Sequence, residues 1–223
     1  MTISSLGLSL LILTMNLCIY SIAGSIIGAK LDNKKIKLSA KNEEYSRFFT
    51  SVISSMCLVY AFVTNDFSIK YVFNHSNLSM DPAYTWVAMY AGNEGSLLYI
   101  ALVISLSILL VLLFKPKDMI ESEPHLVAIM SGFLLFFISV MVFFANPFDT
   151  FQTNIPSDGR GMNPLLAHPG MFSHPPLLMA GLATISVPFS LITSMILTGT
   201  FRNNGLDFVR TTSLIVWCIL GVG

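Results

Sequence analysis

Residues 163–178, NPLLAHPGMFSHPPLL, place two histidines among prolines where a polar stretch meets a long apolar run. Neutral imidazole is a common metal ligand and changes its protonation near physiological pH. His174 directly precedes Pro175 and Pro176, and proline favours the first turn of a helix. Because the positive end of a helix dipole disfavours imidazolium, we expect His174 to be neutral and able to ligate a metal.

A second group of candidate residues lies in the stretch 83–100, AYTWVAMYAGNEGSLLYI. Tyr84 and Trp86 precede an apolar run, where aromatic side chains form either a belt at a membrane surface or a flat surface for a large planar ligand. Glu94 is expected in the first turn of a helix, where the dipole favours an acid and Asn93 can cap the helix. The glycines on both sides of Glu94 predict a close backbone approach.

The composition is that of an integral membrane protein. Of the 223 residues, 54% are hydrophobic and 11% are charged, against about 25% charged in soluble domains, and the mean hydropathy is +0.72. A formal net charge of zero gives no reason to expect a nucleic-acid partner. The three cysteines lie in apolar runs without C-x-x-C spacing, which argues against a thiol oxidoreductase and against a c-type cytochrome.

Six apolar segments are predicted to span the membrane, since about 20 residues cross its hydrocarbon core. Their ranges are 3–29, 48–64, 96–114, 126–145, 175–198 and 211–223. The sixth is too short to span, so we expect its helix to continue in a part of the protein outside this sequence. The fold prediction is an all-α integral membrane protein with about six transmembrane helices, the sixth truncated, in a single domain over 1–223.

The positive charges predict the orientation of the chain. Ten Lys and Arg residues lie in the first, third and fifth connections, and only Lys70 and Arg160 lie in the second and fourth. Because positive residues are enriched in cytoplasmic connections, the N-terminus and the two long connections are predicted outside. No charged residue is predicted at the centre of a span, which argues against an ion-coupled pump.

The two long outer-face loops are predicted to carry the function. Both are rich in aromatic residues, Asn, Pro and Gly, and connections of about 30 residues are commonly functional. The second connection begins with a near-alternating stretch, 63–77, that predicts a short extended piece. The prolines and glycines of the fourth connection predict a rigid loop folded over the helix ends.

The remaining histidines have different expected roles. His75 and His168 are predicted on the same side of the membrane as His174, but the spacing of the three matches no zinc motif. We interpret His168 as a structural residue. His125, in SEPHL, is predicted as a solvated side chain at the opposite membrane surface.

Five motifs follow one another along the chain: NDF at 65–67, GNEGSLL at 92–98, NPF at 146–148, GRGMNPLL at 159–166 and HPPLL at 174–178. In this combination they resemble the N-terminal part of the CcmF/NrfE/CcsA haem lyase family of cytochrome c-type biogenesis. The resemblance implies a multi-pass protein of the bacterial inner membrane, or of an organelle membrane, with its site facing the periplasm or outside.

The resemblance also implies what the site binds. The family receives external haem from the chaperone CcmE and, with CcmH, helps attach it to apocytochrome c. His174 matches the family's first outer-face ligand of the haem iron, which would be the metal at this site. The surrounding surface is expected to be shaped by five further residues: Tyr84, Trp86, Glu94, Pro175 and Pro176.

Other parts of the family's machinery lie outside this sequence. They are the second external ligand, the tryptophan-rich WWD segment and the histidines of a b-type haem, so the chain alone is not expected to be a complete lyase. The chain also departs from the family pattern, with Tyr90-Ala91 in place of Trp-Gly, Ala167-His168 in place of Gln-Asp, and Met179 and Leu182 in place of tyrosines. Two other functions stay open: a permease or exporter of haem or another small solute, and a non-catalytic assembly subunit.

Overall fold

The computed structural model describes residues 2–223. Within them, the α-helices are α1 (Ile3–Lys30), α2 (Lys34–Val63), α3 (Lys70–His75), α4 (Pro82–Thr85), α5 (Asn93–Phe114), α6 (Glu123–Phe143), α7 (His174–Thr184), α8 (Ser186–Thr198) and α9 (Asn203–Val222). Short 3-10 helices cover Val87–Tyr90, Lys117–Met119, Pro164–Leu166 and Pro169–Phe172. Six helical segments are long and apolar enough to cross a membrane, with α7 and α8 together counting as one, so the predicted all-α class and the six spans are confirmed.

The first connection is much shorter than the sequence predicts. Only residues 31–33 separate α1 from α2, and the Asn33 side chain caps α2 by accepting hydrogen bonds from the backbone N–H groups of Lys35 and Ile36 at 3.0 and 3.3 Å. The polar stretch before residue 48 therefore belongs to a helix of 30 residues. The predicted start of the second span at residue 48 is wrong, because hydropathy does not detect a polar helix that packs against other helices.

This correction moves Arg47 from a loop into the helix bundle. Its side chain is 0% exposed and lies about 24 Å along the axis of α2 from Val63, at 1.5 Å per residue. Arg47 lies towards the end of the span opposite Val63, so the prediction that no charged residue lies at the centre of a span is not contradicted by it. A guanidinium at this depth is tolerated only when its donors find acceptors.

Three helices supply the acceptors for Arg47. On α2, Nη2 pairs with the Glu44 carboxylate, and Nε lies 3.4 Å from a Glu43 oxygen. On α1, Nη2 donates to the Ser21 hydroxyl at 3.3 Å. On α6, Nη1 donates to the Ser131 hydroxyl at 2.7 Å. We call this group the arginine network, and it fixes α1, α2 and α6 against one another.

The fifth and sixth spans also differ from their predicted bounds. The predicted span 175–198 is two helices, α7 and α8, separated at Ile185, where Pro188 lacks the N–H group that a continuous helix needs. The sixth span begins at Asn203 rather than 211 and has 20 residues, about 30 Å of helix. Its prediction as a segment too short to span is wrong, because polar residues form its first turns.

The helices define two ends of the bundle. The loop end contains the long connections 64–92 and 144–173, and the basic end contains 31–33, 115–122 and 199–202. At the loop end, the predicted extended piece in 63–77 contains the six-residue helix α3 instead of a strand. Its extended part is a single antiparallel bridge between Ile69 and Thr150.

The arginine network predicts a large loss of stability when Arg47 is replaced. Arg47→Ala leaves the buried Glu44 carboxylate without its partner, and breaking a buried ion pair in this way costs roughly 3–5 kcal/mol. The free energy of unfolding, measured by detergent-denaturant titration of the purified chain, should fall by that order. Arg210→Ala is the matched control, because the Arg210–Asp207 pair is exposed, and surface changes usually stay within about 0.5 kcal/mol. Equal losses in the two variants would contradict the assigned role.

Candidate functional site

The two long connections are bound to each other at the loop end. Lys70 donates its backbone N–H to the Asp149 carbonyl at 2.9 Å, and its ammonium pairs with the Asp149 carboxylate at 2.7 Å. The Arg160 backbone N–H donates to the Phe73 carbonyl at 2.7 Å. These bonds make the connections one layer over the helix ends, as the proline-rich sequence predicts.

Tyr71 holds this layer to the start of α5. Its side chain is buried, and its hydroxyl donates to the Met89 carbonyl and accepts from the Gly92 N–H, both at 2.9 Å. Burial raises the pKa of the phenol well above its usual range, so it stays protonated and keeps donating. A Cβ on Gly95 would collide with the Met89 carbonyl oxygen, which explains the predicted close approach. The predicted N-cap, Asn93, is wrong, since Gly92 occupies that position.

Two further tyrosines connect α5 to the segment that carries His174. The Tyr90 hydroxyl donates to the Met171 carbonyl at 3.1 Å, and the Tyr99 hydroxyl donates to the Pro176 carbonyl at 3.3 Å. Burial, with a contribution from Tyr99, raises the pKa of Tyr90 to about 12. Tyr90 stands where the resembled family has tryptophan, and here its hydroxyl positions the chain just before α7.

An aromatic surface lies beside this segment. The rings of Tyr84 and Trp86 lie 5.3 and 5.9 Å from the ring of Phe172, centroid to centroid. Trp86 is 48% exposed and Phe172 is 38% exposed, so both present apolar faces outward. We define Tyr84, Trp86 and Phe172 as the aromatic surface. Sequence analysis missed Phe172, although its place two residues before His174 in a proline-fixed turn was an available signal.

His174 is the first residue of α7 and is exposed. Its Nδ1 atom forms a hydrogen bond with the Gly223 carbonyl oxygen. Gly223 is the last residue of the described range, and the tautomer in which Nδ1 donates to its carbonyl leaves the Nε2 lone pair free. Metal-ligating histidines commonly donate the second ring N–H to a backbone carbonyl, which fixes the ring and its tautomer. Pro175 and Pro176 occupy the first turn of α7, as predicted.

Other predicted site residues lie elsewhere. Glu94 is in the first turn of α5, as predicted, but it lines a polar cavity of about 360 Å³. The lining of that cavity includes Asn74 and Asp149, and none of the aromatic surface. The role of Glu94 in shaping the surface around His174 therefore stays a prediction.

The other two histidines at the loop end, His75 and His168, each form a hydrogen bond with a nearby backbone group. His75 Nδ1 bonds to the Tyr71 carbonyl at 2.9 Å, and His168 Nδ1 accepts from the Gly170 N–H at 3.0 Å, which fits a structural role for His168. In the described range 2–223, no three His, Cys, Asp or Glu side chains come together as a metal site. His174 therefore stands alone as a candidate ligand from this chain.

Comparisons with known proteins agree on one relationship. The chain is 31% identical to the Escherichia coli cytochrome c-type biogenesis protein CcmF over 222 residues, covering 98% of this chain and 34% of CcmF. It is 31% identical to CcmF of Pseudomonas fluorescens, with 99% and 34% covered, and 27% identical to NrfE of Haemophilus influenzae, with 78% and 27% covered. A solved structure of cytochrome c haem lyase CcmF matches with a TM-score of 0.84 at 26% identity, covering 98% of this chain and 34% of that one. No protein-family model matches.

The fold and the loop-end surface define an α-helical, multi-spanning membrane protein that exposes a histidine at the start of α7, two residues after the aromatic ring of Phe172. By sequence and by fold, the chain is similar to the N-terminal portion of the CcmF cytochrome c-type biogenesis proteins. It spans about a third of the length of the curated relatives it matches.

The packing at α5 predicts opposite effects for two glycine substitutions. Gly95→Ala forces a methyl group against the Met89 carbonyl and the Tyr71 hydroxyl, and such overpacking typically costs about 1–3 kcal/mol. Gly132→Ala, in α6, meets no atom within 4 Å and gains helix propensity of up to about 1 kcal/mol. Thermal unfolding should therefore occur at a lower temperature in the first variant and not in the second. An unchanged unfolding temperature in Gly95→Ala would contradict this prediction, because it would mean that the Met89 carbonyl and the Tyr71 hydroxyl move away from the added methyl group at little cost.

Proposed function

We propose that the chain holds haem on the outer face of the membrane for covalent attachment to apocytochrome c, as a component of a haem lyase. The relatives named for cytochrome c-type biogenesis and haem lyase activity support this proposal. The observation that carries it is the position of His174, which is exposed as the first residue of α7, two residues after Phe172 of the aromatic surface. The proposal includes an N-terminus on the outside, which the distribution of Lys and Arg favours.

The residues at the loop end fit a haem group. Histidine is a common axial ligand of haem iron, and the His174 side chain is exposed at the surface. Trp86 and Phe172 offer apolar ring faces of the kind on which a porphyrin can pack. The residues that would hold haem are therefore His174, through iron, and Tyr84, Trp86 and Phe172, through the macrocycle.

The chain's own residues position the group rather than react with it. When bound, haem supplies the iron and the vinyl groups that form the thioether bonds. Tyr99 fixes the carbonyl of Pro176 in the first turn of α7, the turn that begins with His174, and in this way positions the imidazole. The aromatic surface would exclude water from one face of the macrocycle.

The partners in this proposal follow from the same class of reaction. We propose that external haem arrives on the chaperone CcmE, that CcmH presents the reduced apocytochrome thiols, and that all meet at the outer face of a bacterial inner membrane. A b-type haem within the membrane would belong to the parts of the family's longer proteins that this chain does not cover. The permease and assembly-subunit alternatives are outcomes of the test below.

The proposal predicts that His174 dominates haem binding by this chain. Haem titration of the purified protein in detergent, followed by the Soret band, should show binding at least roughly tenfold weaker for His174→Ala, because about 1.4 kcal/mol of lost iron ligation gives that factor. His168→Ala is the matched control, since His168 is exposed nearby but engaged with Gly170. Added imidazole should restore the band in His174→Ala.

Three results would count against the proposal. An unchanged Soret band and affinity in His174→Ala would exclude His174 as the ligand. Haem flux into proteoliposomes that is insensitive to His174→Ala would favour the permease. Capture of partner proteins without any haem signal in the wild-type chain would favour an assembly subunit.

A further inference from the structure

Glu43 is a buried acid that the proposed function does not use. Its side chain is only 9% exposed, and neither carboxylate oxygen accepts a hydrogen bond within residues 2–223. The nearest cationic atom, Arg47 Nε, lies 3.4 Å from one of these oxygens, but Nε makes no hydrogen bond either. An ionised carboxylate is strongly disfavoured at a buried position without hydrogen-bond donors.

The charge of Arg47 is already balanced by a different residue. Nη2 pairs with the Glu44 carboxylate, and the Ser21 hydroxyl lies 3.5 Å from the same carboxylate. Nη1 is engaged by the Ser131 hydroxyl. One guanidinium and one carboxylate form a neutral unit, so a second ionised carboxylate would leave a net negative charge inside the helix bundle.

The other titratable groups around Glu43 do not supply a second positive charge by contact. From α1 the group that faces the network is the Cys18 thiol, 3.7 Å from Arg47 Nη1. Towards the basic end of α6, Glu123 engages Lys41 at 3.3 Å and Lys115 at 2.5 Å. Both lysines are thus committed to another acid.

We propose that Glu43 is a buried proton-binding site, occupied by a proton while Arg47 and Glu44 form the ion pair beside it. In this state the arginine network is electrically neutral. Loss of the proton places a second negative charge next to Glu44 and weakens the contacts among α1, α2 and α6. Glu43 lies about 30 Å along α2 from Val63 at the loop end, so this site is independent of the proposed haem surface.

Infrared spectroscopy of the intact chain in lipid nanodiscs tests the proposal directly. A protonated carboxylic acid has a carbonyl stretch that an ionised carboxylate lacks, and this stretch shifts in D2O and on ¹³C labelling of glutamate. The wild-type chain should show such a glutamic-acid band at neutral pH, and Glu43→Gln should abolish it. Glu121→Gln is the control that should keep the band, because Glu121 is exposed.

A second variant separates a proton site from simple burial. In Glu44→Gln the guanidinium loses its carboxylate partner, so Glu43 should ionise, pair with Arg47 and lose the band even though Glu43 is still present. A wild-type chain without a glutamic-acid band overturns the proposal, and this measurement needs no substitution. A band that persists in Glu43→Gln, or in Glu44→Gln, also overturns it.

Discussion

The buried guanidinium of Arg47 sets the arrangement of the helix bundle. Its donors require acceptors, and these come from α1, α2 and α6. Each helix must therefore have the rotation and depth that bring Ser21, Glu44 and Ser131 to one point. Because an unpaired charge costs far more here than an imperfect apolar contact, this requirement is stricter than ordinary packing. The contacts of Arg47 also explain why α2 continues as a helix through the polar stretch before residue 48, whose hydropathy alone does not predict a membrane helix.

The loop end depends on this arrangement through the continuation of α2. From the end of α2 the chain turns into α3, where Tyr71 bonds to the backbone on both sides of the turn into α5. Tyr90 then bonds to the turn before α7, and Tyr99 bonds to the first turn of α7. Both bonds fix this segment relative to α5. The segment that carries His174 is thus positioned by hydrogen bonds from tyrosine hydroxyls to the backbone carbonyls of Met171 and Pro176.

The sequence predicted what local chemistry determines and failed where tertiary packing decides. Apolar length located the spans, the double proline located the start of α7, and the glycines flanking Glu94 indicated a close approach that Gly95 makes. The polar half of α2 could not be predicted, because a hydropathy scale scores the transfer of side chains into lipid. Arg47 instead contacts polar groups on other helices. The polar cavity that Glu94 lines with Asn74 depends on how α3 and α5 pack, which no spacing along the chain encodes.

The two ends of the bundle are built from different interactions, and distance keeps their electrostatics apart. Aromatic side chains, backbone hydrogen bonds and the exposed Lys70–Asp149 ion pair form the loop end, whereas buried paired charges stabilise the opposite end. Two unit charges about 30 Å apart interact by about 0.6 kcal/mol at an effective dielectric constant of 20, less than a factor of three in any binding constant. A change in the protonation of Glu43 can therefore affect the aromatic surface only through a movement of the helices. Because the continuous helix α2 joins the two ends of the bundle, any such effect would require α2 to move as a rigid element.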